Sequence, residues 1–122
     1  VSPEILRMPP ALIGEVDGRG VAQSEHTLLD DVLADTDVLY VTRVQRERFD
    51  DPEAYESVRG SYVLTPETFR AAKENLVIMH PLPRVGEISP EVDSDPRAAY
   101  FRQMRYGLYI RMALLALVLG KV

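Results

Sequence analysis

Two short apolar runs, Asp37-Val38-Leu39-Tyr40-Val41 and Leu76-Val77-Ile78-Met79, carry no alternation of apolar and polar residues. A strand with one wet face alternates with a period of two, so runs like these predict strands buried on both faces, the pattern of a parallel sheet. Parallel neighbours cannot be closed by a tight turn and need a crossover, usually helical. Each run also ends in a short distinctive motif: Thr42-Arg43-Val44-Gln45-Arg46-Glu47-Arg48 after the first, His80-Pro81-Leu82-Pro83-Arg84 after the second. Open α/β sheets hold ligands at the carboxyl ends of their strands, where loops converge without disturbing the core.

Around these runs the chain is punctuated by helix-start signals. Ser2-Pro3-Glu4 opens a short turn, Pro9-Pro10 stops it and begins a helix over Ala11-Val16, and Gly18 and Gly20 end that helix. Val21 to Glu25 is a short strand candidate, and Thr27 is placed to cap a helix over Leu28-Ala34 with Asp30 and Asp31 in its first turn. In the loop-like polar stretch from Arg46 to Ser61, Asp51-Pro52 begins a helical segment carrying Tyr55 and Val58 inward. Tyr62-Val63-Leu64 predicts a brief strand, and Thr65-Pro66-Glu67-Thr68 opens another helix with Thr65 as its cap. Asp95 is placed to cap a long final helix from Pro96 to about Leu119, whose apolar coverage widens toward its end. Met112 to Leu119 therefore predicts a buried helix face that needs more protein than these few strands.

Strands alternating with short helices through right-handed crossovers define the expected class. It is α/β: a doubly wound, Rossmann-like parallel sheet with flanking helices, truncated at its N-terminal edge and ending in a long C-terminal helix. Residues 1–122 are expected to form one domain or part of one. Val1-Ser2-Pro3 reads as a strand end meeting a turn, so further chain is expected ahead of Val1.

Composition narrows the partners. A formal net charge of −5 with dispersed arginines opposes a phosphate backbone, so no nucleic acid is expected. With no cysteine there is no thiolate metal site, and His26 and His80 stand at no metal-ligand spacing, so neither metal nor cofactor is expected. The longest apolar run falls well short of the ~20 residues that span a bilayer. No membrane partner is expected, and a cytoplasmic location is.

Arg43 and Gln45 lie two residues apart on an extended segment, which puts both side chains on one side of the chain. A guanidinium offers paired donors that match a carboxylate's two oxygens, where a lysine offers a point charge. The two motifs together read as a site for a small dianion such as a dicarboxylate. Arg43 has two readings: a surface pair with Glu47, or an anion contact whose guanidinium Glu47 orients from one turn away. Arg48 is equally an anion contact or a solvated charge. In the second motif, Pro81 and Pro83 restrict the backbone around Leu82 and leave the Pro81 and Leu82 carbonyls free to accept from an amine; a rigid turn without a ligand is the other reading. His80, a lone histidine closing an apolar strand, is expected to be a hydrogen-bonded structural residue and not a general base.

These segments, with Asp93-Ser94-Asp95-Pro96-Arg97-Ala98-Ala99-Tyr100-Phe101 and Arg111-Met112-Ala113-Leu114-Leu115, resemble the aspartate carbamoyltransferase family over nearly the whole chain. The resemblance is to its carboxy-terminal, aspartate-binding domain. Gln103-Met104-Arg105-Tyr106-Gly107 makes it similar to the eukaryotic form, most to the fungal one, where the domain belongs to a multifunctional pyrimidine-synthesis polypeptide. The resemblance implies that the amino group of L-aspartate attacks the carbonyl carbon of carbamoyl phosphate and that a tetrahedral intermediate expels phosphate. It implies that Arg43 and Gln45 bind the side-chain carboxylate region of aspartate, that Arg48 supports them, and that the Pro81 and Leu82 carbonyls receive the amino group. It also implies a cis Leu82-Pro83 bond.

No residue of this chain is implied to be catalytic. The family's phosphate-binding Ser-Thr-Arg-Thr loop, the arginine for the aspartate α-carboxylate, and the groups that polarise the carbamoyl oxygen have no match here. Carbamoyl phosphate would be met through a domain this chain lacks, and a homotrimer neighbour would add a lysine. The isolated 122 residues are therefore expected to be inactive. Gly86 departs from the bacterial pattern, which has an aspartate there that pairs with the tyrosine matching Tyr55; a glycine has no side chain to accept that bond. Two other functions compete. An ornithine-type carbamoyltransferase is disfavoured because its usual His-Cys-Leu-Pro and tryptophan-containing motifs are missing from a chain without cysteine or tryptophan. A non-catalytic scaffold is disfavoured by the retained Arg43 and Gln45, although fold alone never proves activity.

Overall fold

The computed structural model describes residues 1–121. Strands β1 (Val38–Tyr40) and β2 (Val77–Met79) pair in parallel, with Val38 opposite Val77, Leu39 opposite Ile78 and Tyr40 opposite Met79. The other edge of β2 is met by an extended segment: Ile78 N donates to the Arg97 carbonyl at 2.9 Å, and Ala99 N donates to the Ile78 carbonyl at 2.8 Å. A second parallel contact joins Leu64 to Ile88. Helices α1 (Pro10–Gly18), α2 (Asp30–Leu33), α3 (Pro52–Val58) and α4 (Tyr100–Val118) complete an α/β fold. Local chemistry explains their starts. Pro10 supplies a preset φ in the first turn of α1, and the Asp51 carboxylate caps α3 by accepting from Glu53 N at 3.0 Å.

The core is a single cluster. Leu33 from α2, Phe69 and Leu76 from the approach to β2, Ile78 within it, Ile88 and Val92 beyond it, and Tyr100 of α4 are all buried against one another. This cluster covers the Leu39 and Ile78 face of the ladder. The opposite face is open, with Val38 and Tyr40 each 54% exposed. The expectation of strands buried on both faces is corrected accordingly: parallel pairing holds, but no other element among the described residues covers the second face.

Other element boundaries differ for identifiable reasons. Val21–Glu25 forms no strand, because its backbone finds no neighbouring strand; Gln23 instead donates to the Ile13 carbonyl and Glu25 accepts from Met8 N. Thr27 does not cap α2, which begins later at Asp30; the Thr27 carbonyl accepts the Tyr62 hydroxyl at 2.7 Å. Of Tyr62–Leu64, Leu64 alone pairs. The helix expected after Thr65 contracts to a 3-10 turn at Thr68–Arg70, where the Phe69 carbonyl accepts both Ala72 N at 3.3 Å and the Arg97 guanidinium at 3.1 Å.

The final helix is shorter and barer than expected. It starts at Tyr100, and Asp95 closes the turn before it by accepting from Arg97 N at 2.9 Å, which lets Arg97–Ala99 run beside β2. Tyr100 is the buried residue of α4. The run Met112–Leu119 is no buried face: Leu115 is 63% and Val118 84% exposed. A helix of this length reaches about 28 Å, far past the two-stranded ladder that its first turn touches.

Arg97 and Asp95 are both largely buried and form a charge-assisted fork, with Nη2 to Oδ2 at 2.7 Å and Nε to Oδ1 at 2.9 Å. The Arg97 hydrogen bond holds the Asp95 carboxyl below its ordinary 3.8, against the opposing effect of burial. A carboxyl depressed in the folded state stabilises fully above 3.8 and loses that contribution as pH falls through its lower folded value. Asp95→Asn is therefore expected to cost about 1.5–3 kcal/mol near neutral pH, the worth of a hydrogen bond to a charged group. In urea unfolding the gap between wild type and variant should narrow as pH falls below 3.8. A gap that is constant or widens in acid contradicts this account.

Candidate functional site

The two motifs leave adjacent strands at the same end of the sheet. Val41 N donates to the Met79 carbonyl at 2.9 Å as the ladder's last rung, and a 3-10 turn then forms at Arg46–Arg48. That turn brings Glu47 back to Arg43, whose Nη1 donates to Oε2 at 3.1 Å while Nη2 donates to Oε1. The shared hydrogen bond holds Glu47 below its ordinary 4.5 and raises the guanidinium still further. The ion pair is thus made, yet a guanidinium carries more N–H donors than a two-pronged fork uses.

Arg43 lines a cavity of about 410 Å³. Its walls come from Tyr40 to Val44 at the end of β1, from Tyr55 and Arg59 on and just after α3, and from Val85, Gly86 and Glu87 beyond the proline turn. Gln45, Arg48, Pro81 and Leu82 do not line this cavity. They sit on the two loops beside it, Gln45 and Leu82 half-buried and Arg48 and Pro81 exposed. Sequence reasoning assigned nothing to Arg59. Its only signal was its place directly after Val58, the buried residue of a helix that follows closely on Arg43.

The His80–Glu87 turn is tied down at several points. His80 is 1% exposed; its backbone N donates to Gln103 Oε1 at 3.0 Å, its Nδ1 accepts from Leu82 N at 2.8 Å, and its Nε2 lies 2.7 Å from Glu87 Oε1. Glu87 Oε2 accepts from Val85 N at 3.0 Å. Burial pushes Glu87 upward, but hydrogen bonds from the Val85 and Glu87 amides and from His80 outweigh it and leave the carboxyl below its ordinary value. The Leu82-Pro83 bond is cis, and Leu82 has φ +48, a left-handed conformation that costs a branched residue about 1–2 kcal/mol and must be held by its surroundings.

Arg84 fastens the turn to α4. It forks onto Asp93, with Nη2 to Oδ2 at 2.6 Å, and its guanidinium lies over the rings of Tyr100 at 5.7 Å and Phe101 at 5.9 Å. The Tyr100 hydroxyl donates to Asp93 Oδ1 at 2.5 Å. Burial, with that bond to Asp93, pushes the Tyr100 phenol up to about 12. Among the described residues no group of three or more His, Asp or Glu side chains is placed to hold a metal ion, and no helix is long and apolar enough to cross a membrane.

Comparison with known proteins shows the family and fold of the chain. Residues 8–118 match the family model described as the Asp/Orn binding domain of aspartate/ornithine carbamoyltransferase. The chain is 58% identical over 120 residues to the multifunctional protein pyr1-3 of Dictyostelium discoideum, covering 98% of this chain and 5% of that one. It superimposes on the catalytic subunit of M. jannaschii aspartate transcarbamoylase with a TM-score of 0.86 at 45% identity, covering 99% of this chain and 40% of that one. The Trypanosoma cruzi aspartate transcarbamoylase, solved in complex with carbamoyl phosphate and aspartate, matches with a TM-score of 0.80 at 46% identity, covering 94% of this chain and 39% of that one. The chain thus spans two-fifths of the length of the solved relatives and a small part of the multifunctional one.

Gly86, on the cavity wall, has φ +148, a conformation that residues with a Cβ rarely adopt, although a Cβ there would meet open space. Gly14 in α1 has open space and an ordinary φ. Gly86→Ala is expected to destabilise by about 1–3 kcal/mol through backbone strain, while Gly14→Ala stabilises by about 0.5–1 kcal/mol. Thermal unfolding of both variants checks the contrast; a neutral Gly86→Ala would show that the turn relaxes.

Proposed function

The chain belongs to the aspartate/ornithine carbamoyltransferase family, and from that membership we propose that it carries the L-aspartate-binding side of an aspartate carbamoyltransferase site. Residues 1–122 are read as the aspartate-binding domain, with carbamoyl phosphate held by a domain outside this chain. The observation that carries the reading is Arg43, held in a fork by Glu47 at the carboxyl end of β1, on a cavity bounded by the turn that follows β2.

On this reading the unshared donors of Arg43 take the side-chain carboxylate of aspartate, Gln45 supplies a neutral donor or acceptor beside it, and Arg48 reinforces the positive field. The Pro81 and Leu82 carbonyls accept from the substrate amine. Carbonyl acceptors suit that group, because they fix an N–H while leaving the nitrogen lone pair to attack. The nitrogen then bonds to the carbonyl carbon of carbamoyl phosphate, the tetrahedral intermediate collapses with its bond to the phosphate oxygen breaking and a proton passing from the nitrogen to the departing phosphate, and N-carbamoyl-L-aspartate and phosphate leave. None of these side chains forms a covalent bond with substrate. Their contribution is orientation and charge placement, which supply a large part of many rate enhancements. The same reading assigns a homotrimer and a cytoplasmic location to the whole enzyme, whose relatives include multifunctional proteins.

Two measurements test it. In the full-length enzyme, Arg43→Ala should lower kcat/KM for aspartate by about 30-fold or more, since it removes a charge-assisted contact to substrate, with KM for carbamoyl phosphate little changed. Arg19→Ala, at an exposed pair with Glu15 on the far helix, should stay close to wild type. Equal effects remove Arg43 from the site. The isolated 122-residue chain should form no carbamoyl aspartate in a colorimetric assay, whereas turnover equal to that of the two-domain enzyme would mean that these residues alone complete the site.

A further inference from the structure

We propose that His80, through the tautomer its neighbours impose, is the positioning residue that aims the Pro81 carbonyl outward from the sheet. The inference rests on the reading of that carbonyl as an acceptor for the substrate amine. A backbone amide can only donate, so the 2.8 Å contact between Leu82 N and His80 Nδ1 requires a lone pair on Nδ1. The ring proton of the neutral imidazole then sits on Nε2, where Glu87 Oε1 accepts it at 2.7 Å. Glu87 suits this role because its other oxygen is already engaged by Val85 N.

The consequence for the carbonyl follows from peptide planarity. The bond between Pro81 and Leu82 is trans, since Leu82-Pro83 is the cis bond of the described chain. Across a trans peptide the carbonyl oxygen and the amide hydrogen point in opposite directions. The Leu82 N–H points at a ring that is 1% exposed, so the Pro81 carbonyl points away from that ring, and Pro81 itself is exposed. Prolines restrict φ but leave the plane of this peptide free to rotate about the Pro81 ψ angle. His80 removes that freedom. Leu82 is also the one non-glycine residue of the described chain with positive φ, so its conformation depends on such a tether. The opposite tautomer would set an N–H against the Leu82 N–H and reverse the plane's preference.

Two variants separate the ring's two contacts in the full-length enzyme. In His80→Asn the amide oxygen falls near the position of Nδ1 and can still accept from Leu82 N, while the bond to Glu87 is lost. In His80→Gln the amide nitrogen reaches the position of Nε2 and can still donate to Glu87, while the acceptor for Leu82 N is lost. His80→Gln should raise KM for aspartate about tenfold, with KM for carbamoyl phosphate unchanged, and His80→Asn should recover most of that loss. Long-range 1H–15N correlation on 15N-histidine-labelled wild type should show His80 protonated at Nε2 alone. A proton on Nδ1, or variants equally impaired toward both substrates, would overturn the role of His80. The spectrum decides even where a variant fails to fold. A wild-type enzyme that turns over no aspartate would overturn the functional reading instead, and the tautomer would still report on the turn.

Discussion

Ile78 bonds to the Arg97–Ala99 segment on one side of β2, while on the other Val77 N donates to the Asp37 carbonyl and the Met79 carbonyl accepts from Val41 N. With both edges paired, β2 cannot slip without exchanging its buried Ile78 for its exposed neighbour Val77, because a one-residue shift turns every side chain to the other face. That register fixes where the chain leaves the sheet. Val41 and His80 therefore emerge side by side, and loops separated by more than thirty residues of sequence share one end of the fold. The cavity exists because of this alignment, and the short helices serve mainly to return the chain to it.

Ion pairs in this structure divide by burial and partners. Arg84 with Asp93 and Arg97 with Asp95 are partly or largely shielded, geometrically paired, and joined to further groups: Arg84 to the Tyr100 hydroxyl and ring, Arg97 to the Phe69 carbonyl. Both converge on the start of α4. Pairs such as Arg7 with Glu4 and Arg59 with Glu56 sit in solvent and contribute little. The distinction matters for function, since one shielded fork ties the His80–Glu87 turn to Asp93 and the other holds the segment that leads into α4. Rigidity there is local and electrostatic, while the far half of α4 has no comparable anchor.

Parallel pairing, the carboxyl-end location of both motifs, the Asp51 cap and the inward Val58 were all legible in the sequence, because each leaves a signal within a few residues, even where, as in the pairing of Val38 with Val77, the contact itself is distant. What was not legible depended on distant groups. Thr65 was a sound helix cap by local rules, but only a 3-10 turn forms, and its Phe69 carbonyl also takes a hydrogen bond from Arg97, which lies twenty-eight residues away in the chain. Asp95 has the chemistry of a cap and makes a turn with Arg97 instead, because β2 needs an extended neighbour there. Arg59 shares a cavity with Arg43 through the packing of α3, which no spacing encodes. Periodicity correctly found the apolar side chains of α4; it could not say whether this chain holds the surface that would cover them.

The cavity's charges bear on what it can select. Glu47 holds Arg43 in place at the cost of a negative charge near any bound anion, and Glu87 adds another on the wall. Both carboxylates are already engaged, Glu47 by the guanidinium and Glu87 by His80 and the Val85 amide, which leaves each fewer lone pairs for an incoming ligand. The cations keep free donors: Arg43 beyond its fork, and Arg59, whose contacts to Glu56 are long at 3.4 Å. A ligand carboxylate therefore meets unshared donors, whereas a ligand ammonium meets two guanidiniums and carboxylates with little left to offer. On the proposed reading this asymmetry favours aspartate over a substrate with a cationic side chain, and it operates by repelling the wrong ligand as much as by holding the right one.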